Sequence, residues 1–293
     1  TALGLHALQH RGQEAAGIVS YDGRVFHAHR GMGHVGDIFS NPAVMTQLQG
    51  DSAIGHNRYS TQGGTVLRNV QPIFADLAGG GLAIAHNGNL TNALEVRREL
   101  VQRGCIFQST MDSEVIVHLI ATSLASGFMT RLVDALRQLQ GAYSLIILTD
   151  QAMIGVRDHF GVRPLTIGTL DGGTVLASES CALDIIGATV VRDVEPGEVV
   201  VIDKAGIRST KPFGSARSQF CIFEYIYFSR PDSVVEGRSV YSARKRIGAE
   251  LARESGVPCD LVVPVPDSGV PAAIGYAEEA GVPFELGIIR NHY

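Results

Sequence analysis

Long apolar runs are missing from this 293-residue chain. Nothing approaches the roughly 18 continuous apolar residues from which a membrane-spanning helix is read, so no membrane association is expected. Blocks of Lys and Arg are missing too. Lys+Arg total 24 against Asp+Glu 29, a formal net charge of −5, which excludes the electrostatic footprint of a nucleic-acid binder. The cysteines are few and scattered. Cys105, Cys181, Cys221 and Cys259 form no Cys-x-x-Cys pair, so neither a zinc ribbon nor a disulfide framework is indicated. A reducing, cytoplasmic setting is the default for such usage, and no secretory leader opens the sequence. Tryptophan is absent, which excludes nothing, and there are no internal repeats or low-complexity tracts.

What is present is ordinary globular material. Hydrophobic residues make up 45%, enough for one large domain or two of average size. Both ends read as cut: residues 1–10 resemble the second half of an apolar helix, and Tyr293 directly follows a strand-like run. Residues 15–21 and 25–29 predict strands about Asp22-Gly23, a strong hairpin signal. A short strand is predicted at 52–56. Helices are predicted where Ala93, Val96, Leu100 and Val101 share a face, then Ile116, Leu119, Ile120 and Leu124, then Leu132, Leu136 and Leu139. Strands follow at 143–148, 153–157, 165–169, 174–177 and 199–202. Strands, three helices and strands again argue for an α+β sandwich of mainly antiparallel sheets covered by helices.

The character changes after about Cys221. An aromatic run over 224–233 closes at Pro231. A helix carrying Val240, Ala243, Ile247 and Leu251, a strand at 261–265, a turn at Pro266-Asp267-Ser268-Gly269, a helix at 271–280 and a strand at 284–289 then open a parallel α/β unit. A loop between the carboxyl end of a parallel strand and a helix is where such folds bind anions. Residues 266–269 occupy that place.

Chemistry gathers around Gly81-Leu82-Ala83-Ile84-Ala85-His86-Asn87-Gly88-Asn89. Its apolar part reads as a buried strand. Asn-Gly is a strong turn signal, so one reading of the end is a hairpin turn. The other is an oxyanion hole beyond the strand end, in which the Asn87 amide and the Gly88 N–H aim at one spot where charge develops. The stretch Asn57-Arg58-Tyr59-Ser60-Thr61-Gln62-Gly63-Gly64 suits a substrate-closing loop, with Arg58 gripping a carboxylate bidentately and Thr61 adding a donor. The competing reading of Arg58 is a surface salt bridge. Asp112 precedes a helix, either as its N-cap or as the partner of a ligand ammonium; a carboxylate has lone pairs for both. Arg11 is an exposed charge or a fork within a site.

Taken together, these segments resemble the amidophosphoribosyltransferase family, the glutamine phosphoribosylpyrophosphate amidotransferases of purine synthesis. The matching stretches are residues 8–14, 55–61, 86–90, 112–115, 157–165, 195–198, 224–233 and 240–244, which cover nearly the whole chain. Arg58-Tyr59, His86-Asn87-Gly88-Asn89 and Arg163-Pro164-Leu165 alone mark only the glutaminase class shared with glucosamine-6-phosphate synthase and asparagine synthetase. Glu224-Tyr225-Ile226-Tyr227-Phe228-Ser229-Arg230-Pro231-Asp232-Ser233 is specific to this one family.

The resemblance implies an N-terminal-nucleophile hydrolase, an αββα four-layer sandwich, followed by the beginning of a type I phosphoribosyltransferase α/β domain. The glutaminase domain would span 1–222, an inter-domain segment 223–238 and the transferase part 239–293. By resemblance Arg58 and Thr61 hold the glutamine carboxylate, Asp112 its ammonium, Asn87 and Gly88 form the oxyanion hole, and Arg11 supports the nucleophile region. The nucleophile is an N-terminal cysteine whose own amine is the base; it is expected upstream of Thr1, and the pyrophosphate-binding loop beyond Tyr293, so the 293-residue chain alone is expected to be inactive. The family reaction joins glutamine, phosphoribosylpyrophosphate and water to give 5-phosphoribosylamine, glutamate and pyrophosphate. Ser268 matches a position contributing to a Mg²⁺ site, and Cys221 the first of four ligands of a [4Fe–4S] cluster found in one branch. Cys105, Cys181 and Cys259 read as buried small apolar residues, and Ser268 read alone is a helix N-cap. Purine nucleotide inhibitors and a homotetramer are further implications. Two rival readings are another glutaminase-class enzyme and a non-catalytic glutamine-binding module. The residues after Cys221 argue against the first, and the retained set Arg58, Asn87, Gly88 and Asp112 against the second.

Overall fold

The computed structural model describes residues 1–59, 66–214 and 216–291. The chain divides into two units, Thr1–Ser178 with Ala182–Phe220, and Glu179–Cys181 with Cys221–Tyr293. In chain order the elements up to Phe220 are α1 (Ala2–Ala7), β1 (Ala15–Tyr21), β2 (Phe26–Met32), α2 (Val35–Phe39), α3 (Pro42–Gln47), β3 (Ser52–Arg58), β4 (Ile73–Leu77), β5 (Gly80–Leu90), α4 (Ala93–Gln102), α5 (Ser113–Thr122), α6 (Phe128–Leu136), β6 (Gly141–Thr149), β7 (Met153–Arg157), β8 (Thr166–Leu170), β9 (Gly173–Ala177), α7 (Ser180–Ile186), β10 (Thr189–Asp193), β11 (Val199–Asp203) and β12 (Gly206–Thr210).

Alternation along β5 sets the layering. Leu82 and Ile84 face one way and pack with Leu145, Ile147, Ile154 and Val156 against Val96, Leu100, Ile116, Ile120, Leu132 and Leu136 of α4, α5 and α6. Ala83 and Ala85 face the other way, toward Val19 of β1 and Ile54 of β3. The main sheet has the order β12-β11-β7-β6-β5-β4, and two smaller sheets, β2-β1-β3 and β10-β8-β9, complete the pattern. Ile167 and Leu176 of the latter, with Leu165 just before β8, pack on Ile146 and Met153 of the main sheet. Val35, Ile38 and Phe39 of α2 cover Ala16 and Ile18 of β1 with help from Leu5 of α1, while Ala182 and Leu183 of α7 pack on Ala177 of β9. The result is helices, sheet, sheet and helices: the expected antiparallel α+β sandwich. The two small sheets turn the edge strands β3 and β9 toward one cavity of about 750 Å³, lined by residues of both and by Ala85, Asn87, Ser144 and Ile146.

Several expectations need correction. Asn87-Gly88 is not a turn and no strand ends before it. β5 continues to Leu90, with Asn87 opposite Ser144 and Gly88 opposite Tyr143 on β6. Tertiary pairing overrides the local turn preference here. In the second unit, the strands expected at 261–265 and 284–289 reduce to one parallel bridge, Val262 to Phe284. Parallel strands need cover on both faces, and Val265, Leu286 and Ile289 are 71%, 60% and 81% exposed. The aromatic run forms a π-helical turn, Glu224–Phe228, tied by Ser229 Oγ donating to Glu224 and by Arg244 donating to the carbonyls of Tyr225 and Ser229. Beyond it lie the short pair β13 (Val234–Val235) and β14 (Arg238–Ser239), then α8 (Val240–Glu254) and α9 (Val270–Ala280). Gly269, not Ser268, stands at the N-cap of α9.

α8 and α9 cross at backbone contact. A Cβ on Gly275 would lie 1.8 Å from the Lys245 carbonyl oxygen, and one on Gly248 1.8 Å from that of Ala272. Because backbone on both sides must shift, Gly275→Ala is expected to destabilise the second unit by about 3 kcal/mol. Limited proteolysis of the variant would show earlier cutting after residue 221 with the first unit's protection unchanged.

Candidate glutamine site

Four segments meet around the end of β5. β3 delivers Arg58, which is 4% exposed and therefore not a surface salt bridge. Its Nη1 donates to the Asn69 carbonyl at 2.7 Å and to Met111 Sδ at 3.2 Å. Burial lowers its pKa, and the charges of Glu14 and Asp112 oppose that shift. Asp112 stands at the N-cap position of α5, yet its carboxylate makes no cap bond. Instead Oδ2 accepts the Leu90 N–H at 2.9 Å, and Oδ1 accepts from Ser113 Oγ at 3.3 Å. The cation and the anion are thus joined through Met111, and the anion is tied to β5.

β5 supplies the hydrogen-bond donors. The Asn87 side chain lines the cavity, and its Nδ2 is buried with no hydrogen-bond partner among the described residues. A buried donor left so costs about 1–3 kcal/mol unless a ligand satisfies it. Gly88 has φ +152°. The N–H groups of His86 and Leu90 bond to the Gln71 and Asp112 side chains, on the edge away from β6. Strand alternation turns the Gly88 N–H toward that same edge, between them. His86 Nδ1 lies 2.9 Å from Ser113 Oγ, and burial lowers its pKa against the raising field of Asp112. His56 on β3 places Nε2 3.0 Å from the His86 carbonyl, and burial pushes its pKa down to about 4, so both imidazoles are neutral near pH 7.

Arg11 is half-buried and lines the cavity with His56, Asn57, His86 and Asn87, so it is not the plain exposed charge. Arg58 and Asp112 stand outside that lining. Thr61 lies outside the described residues. No cysteine lines the cavity. Cys181 is buried, with its thiol pushed up to about 12 by burial and by Glu179, whereas Cys259 is exposed rather than buried because its segment carries no cover. Among the described residues no group of three His, Cys, Asp or Glu side chains could hold a metal ion. Ser268 directly precedes the Gly269 N-cap of α9, and Cys221 is half-buried at the start of the second unit. No helix among them is long and apolar enough to cross a membrane.

Residues that periodicity did not reveal hold the set together. Asn69, fully buried, exchanges hydrogen bonds with Thr110 through both ends of its amide. Glu114 accepts from the Gln108 N–H and from the N–H and Oγ of Ser109. The Pro at position 72 was the available signal, since it marks an irregular segment next to a strand. Burial raises the Glu114 pKa, but these bonds and His118 prevail and hold it at about 2. A carboxyl depressed in the fold stabilises above its unfolded pKa and loses that contribution as pH falls. Glu114→Gln is therefore expected to cost about 1–2 kcal/mol near pH 7. The deficit should shrink as pH is lowered from about 4.5 toward 2, as urea unfolding at stepped pH would show.

A buried cation, a carboxylate and a buried amide donor without a partner among the described residues thus gather about one strand, an arrangement in keeping with a glutamine amidotransferase domain. Residues 56–184 match the glutamine amidotransferase domain family. Amidophosphoribosyltransferase of Rhizobium etli is 56% identical over 298 residues, covering 100% of this chain and 60% of that protein. The Bacillus subtilis protein of the same name is 48% identical, covering 100% and 62%. The solved B. subtilis glutamine phosphoribosylpyrophosphate amidotransferase, complexed with ADP and GMP, superposes with a TM-score of 0.95 at 46% identity, over 100% of this chain and 64% of that one. Over its whole length the chain is similar to amidophosphoribosyltransferases, and it spans about three fifths of the length of the curated relatives it matches.

Proposed function

We propose that this chain is the glutamine-binding part of an enzyme that makes 5-phosphoribosylamine from glutamine, phosphoribosylpyrophosphate and water, releasing glutamate and pyrophosphate in the first committed step of purine synthesis. The observation that carries the reading is the buried Asn87 amide without a partner among the described residues on β5, the strand to which Asp112 is tied at Leu90, with Arg58 bonded to the neighbouring Met111. Arg58 binds the α-carboxylate, with Thr61 beside it, and Asp112 binds the ammonium, a charge-assisted pairing at each end. The side-chain carbonyl then lies against Asn87 Nδ2 and the Gly88 N–H. Both donors strengthen as a thiol adds to the carbonyl carbon and the oxygen gains charge. Arg11 supports the thiol's surroundings at the same cavity. Collapse of the adduct releases ammonia, water clears the thioester to glutamate, and ammonia displaces pyrophosphate from the phosphoribosyl donor.

On this reading residues 1–222 are the glutaminase domain, 223–238 the connection and 239–293 the start of the transferase domain. Inhibition by purine nucleotides, which the relative solved with ADP and GMP supports, and a cytoplasmic homotetramer are further parts of the proposal. The test is direct. L-glutamine should raise the thermal midpoint of the protein where D-glutamine does not, and the full-length enzyme should release glutamate saturably. Absence of both the stabilisation and the saturable release would overturn the reading.

A further inference from the structure

The ladder between β4 and β5 stops where the site begins. Ile73 pairs with Ile84, and the next residue of the first strand is Pro72, which has no N–H to give. Continuing the register would set Gln71 opposite His86. In an antiparallel bonded pair, two opposing residues exchange both N–H···O bonds. Gln71 makes that exchange with its side chain. Its Oε1 accepts the His86 N–H at 2.7 Å, and its Nε2 donates to the His86 carbonyl at 3.3 Å. A carboxamide has the donor and acceptor of a peptide group, so it stands in for the absent strand residue. The His56 ring nitrogen reaches the same carbonyl at 3.0 Å. Gln71 is 6% exposed, and Gly17 lets it approach, since a Cβ there would lie 2.3 Å from the Gln71 carbonyl oxygen.

On its other edge β5 is held throughout by β6. On this edge, among the described residues, the Gln71 bond at His86 and the Asp112 bond at Leu90 bracket the Gly88 N–H. We propose that Gln71 is a positioning residue of the glutaminase reaction: its carboxamide fixes the His86 peptide and so the aim of the Asn87 amide and Gly88 N–H that follow it. The inference rests on the amidotransferase reading above. Gln71 has no contact with the ligand itself; its effect falls on the developing oxyanion rather than on ground-state glutamine.

The experiment is steady-state glutamine hydrolysis by the full-length protein, with L-glutamate affinity measured on the same preparations. Gln71→Met removes both bonds at similar volume and is expected to lower kcat about 10- to 100-fold with KM within about threefold, because the lost interaction matures in the transition state. Gln71→Glu keeps an acceptor for the His86 N–H, loses the donor, and should fall between; it carries the test should the Met variant fail to fold. L-glutamate affinity should stay constant across the series. A kcat within twofold of wild type, or glutamate affinity falling in step with kcat, overturns the proposal. A wild-type protein without glutamine hydrolysis sinks the amidotransferase reading and this inference together, whereas active wild type with unimpaired variants sinks this inference alone.

Discussion

Gly88→Ala is expected to abolish glutamine hydrolysis and to weaken the fold. The residue holds φ +152° inside a continuous strand, and an added Cβ would lie 2.0 Å from the Ala142 carbonyl oxygen. That oxygen belongs to β6, where Ala142 pairs with Asn89 of β5, so it cannot step aside without disturbing that ladder. Either β5 parts from β6 or the backbone of residues 87–89 rotates. Both move the Gly88 N–H and the Asn87 amide off their common target. Loss of a single oxyanion donor costs about 100- to 1,000-fold in kcat, and here two are displaced, so a fall of at least about 1,000-fold is expected. Overpacking against backbone should also remove about 3 kcal/mol of stability. Urea unfolding and glutamate release measured together would check both, and near-normal kcat would contradict the role given to β5.

The second large effect is expected at Asp112. Asp112→Asn keeps an oxygen that can accept the Leu90 N–H, so the tie between α5 and β5 survives. What is lost is the negative charge, and with it the partner of the ligand ammonium. Removing one member of a desolvated charge pair costs about 2–5 kcal/mol. A loss of about 2.7 kcal/mol corresponds to a KM for glutamine raised about 100-fold, with kcat nearly unchanged because the ammonium lies away from the reacting carbonyl. Asp112→Ala should be worse in a different way, since it also orphans the Leu90 N–H and should lower stability by about 1–3 kcal/mol. Initial-rate kinetics over a wide glutamine range separates the two variants. An unchanged KM in Asp112→Asn would remove this residue from the ligand site.

The parts of the fold legible in the sequence are those that bury a periodic apolar face. Leu82 to Ala85, Leu145 to Leu148 and the stripes of α4, α5 and α6 announced themselves because the core demands that spacing. The Asp22-Gly23 hairpin was legible for a local reason, turn chemistry. β10 and β12 were not legible: every residue of β12 is exposed, so no alternation marks it. The Asn-Gly of β5 misled because its glycine answers a cross-strand approach rather than a turn. Within the site, Arg58 and Asp112 were visible as charges at element ends. Asn69 and Gln71 were not, since each acts by one carboxamide from an irregular segment and leaves no repeating pattern.

Asn followed by Gly is the pair of residues in which the backbone nitrogen of the second most readily attacks the carboxamide of the first, expelling ammonia to form a cyclic imide that water then opens to a carboxylate. That closure needs Gly88 nitrogen to swing onto Asn87 Cγ, which an extended strand pinned along the ladder to β6 prevents. A copy in which β5 works loose would age chemically, with aspartate in place of Asn87, and would then present negative charge where negative charge has to be stabilised. The same rigidity that aims the amide therefore also sets how long a molecule of this protein keeps its working side chain.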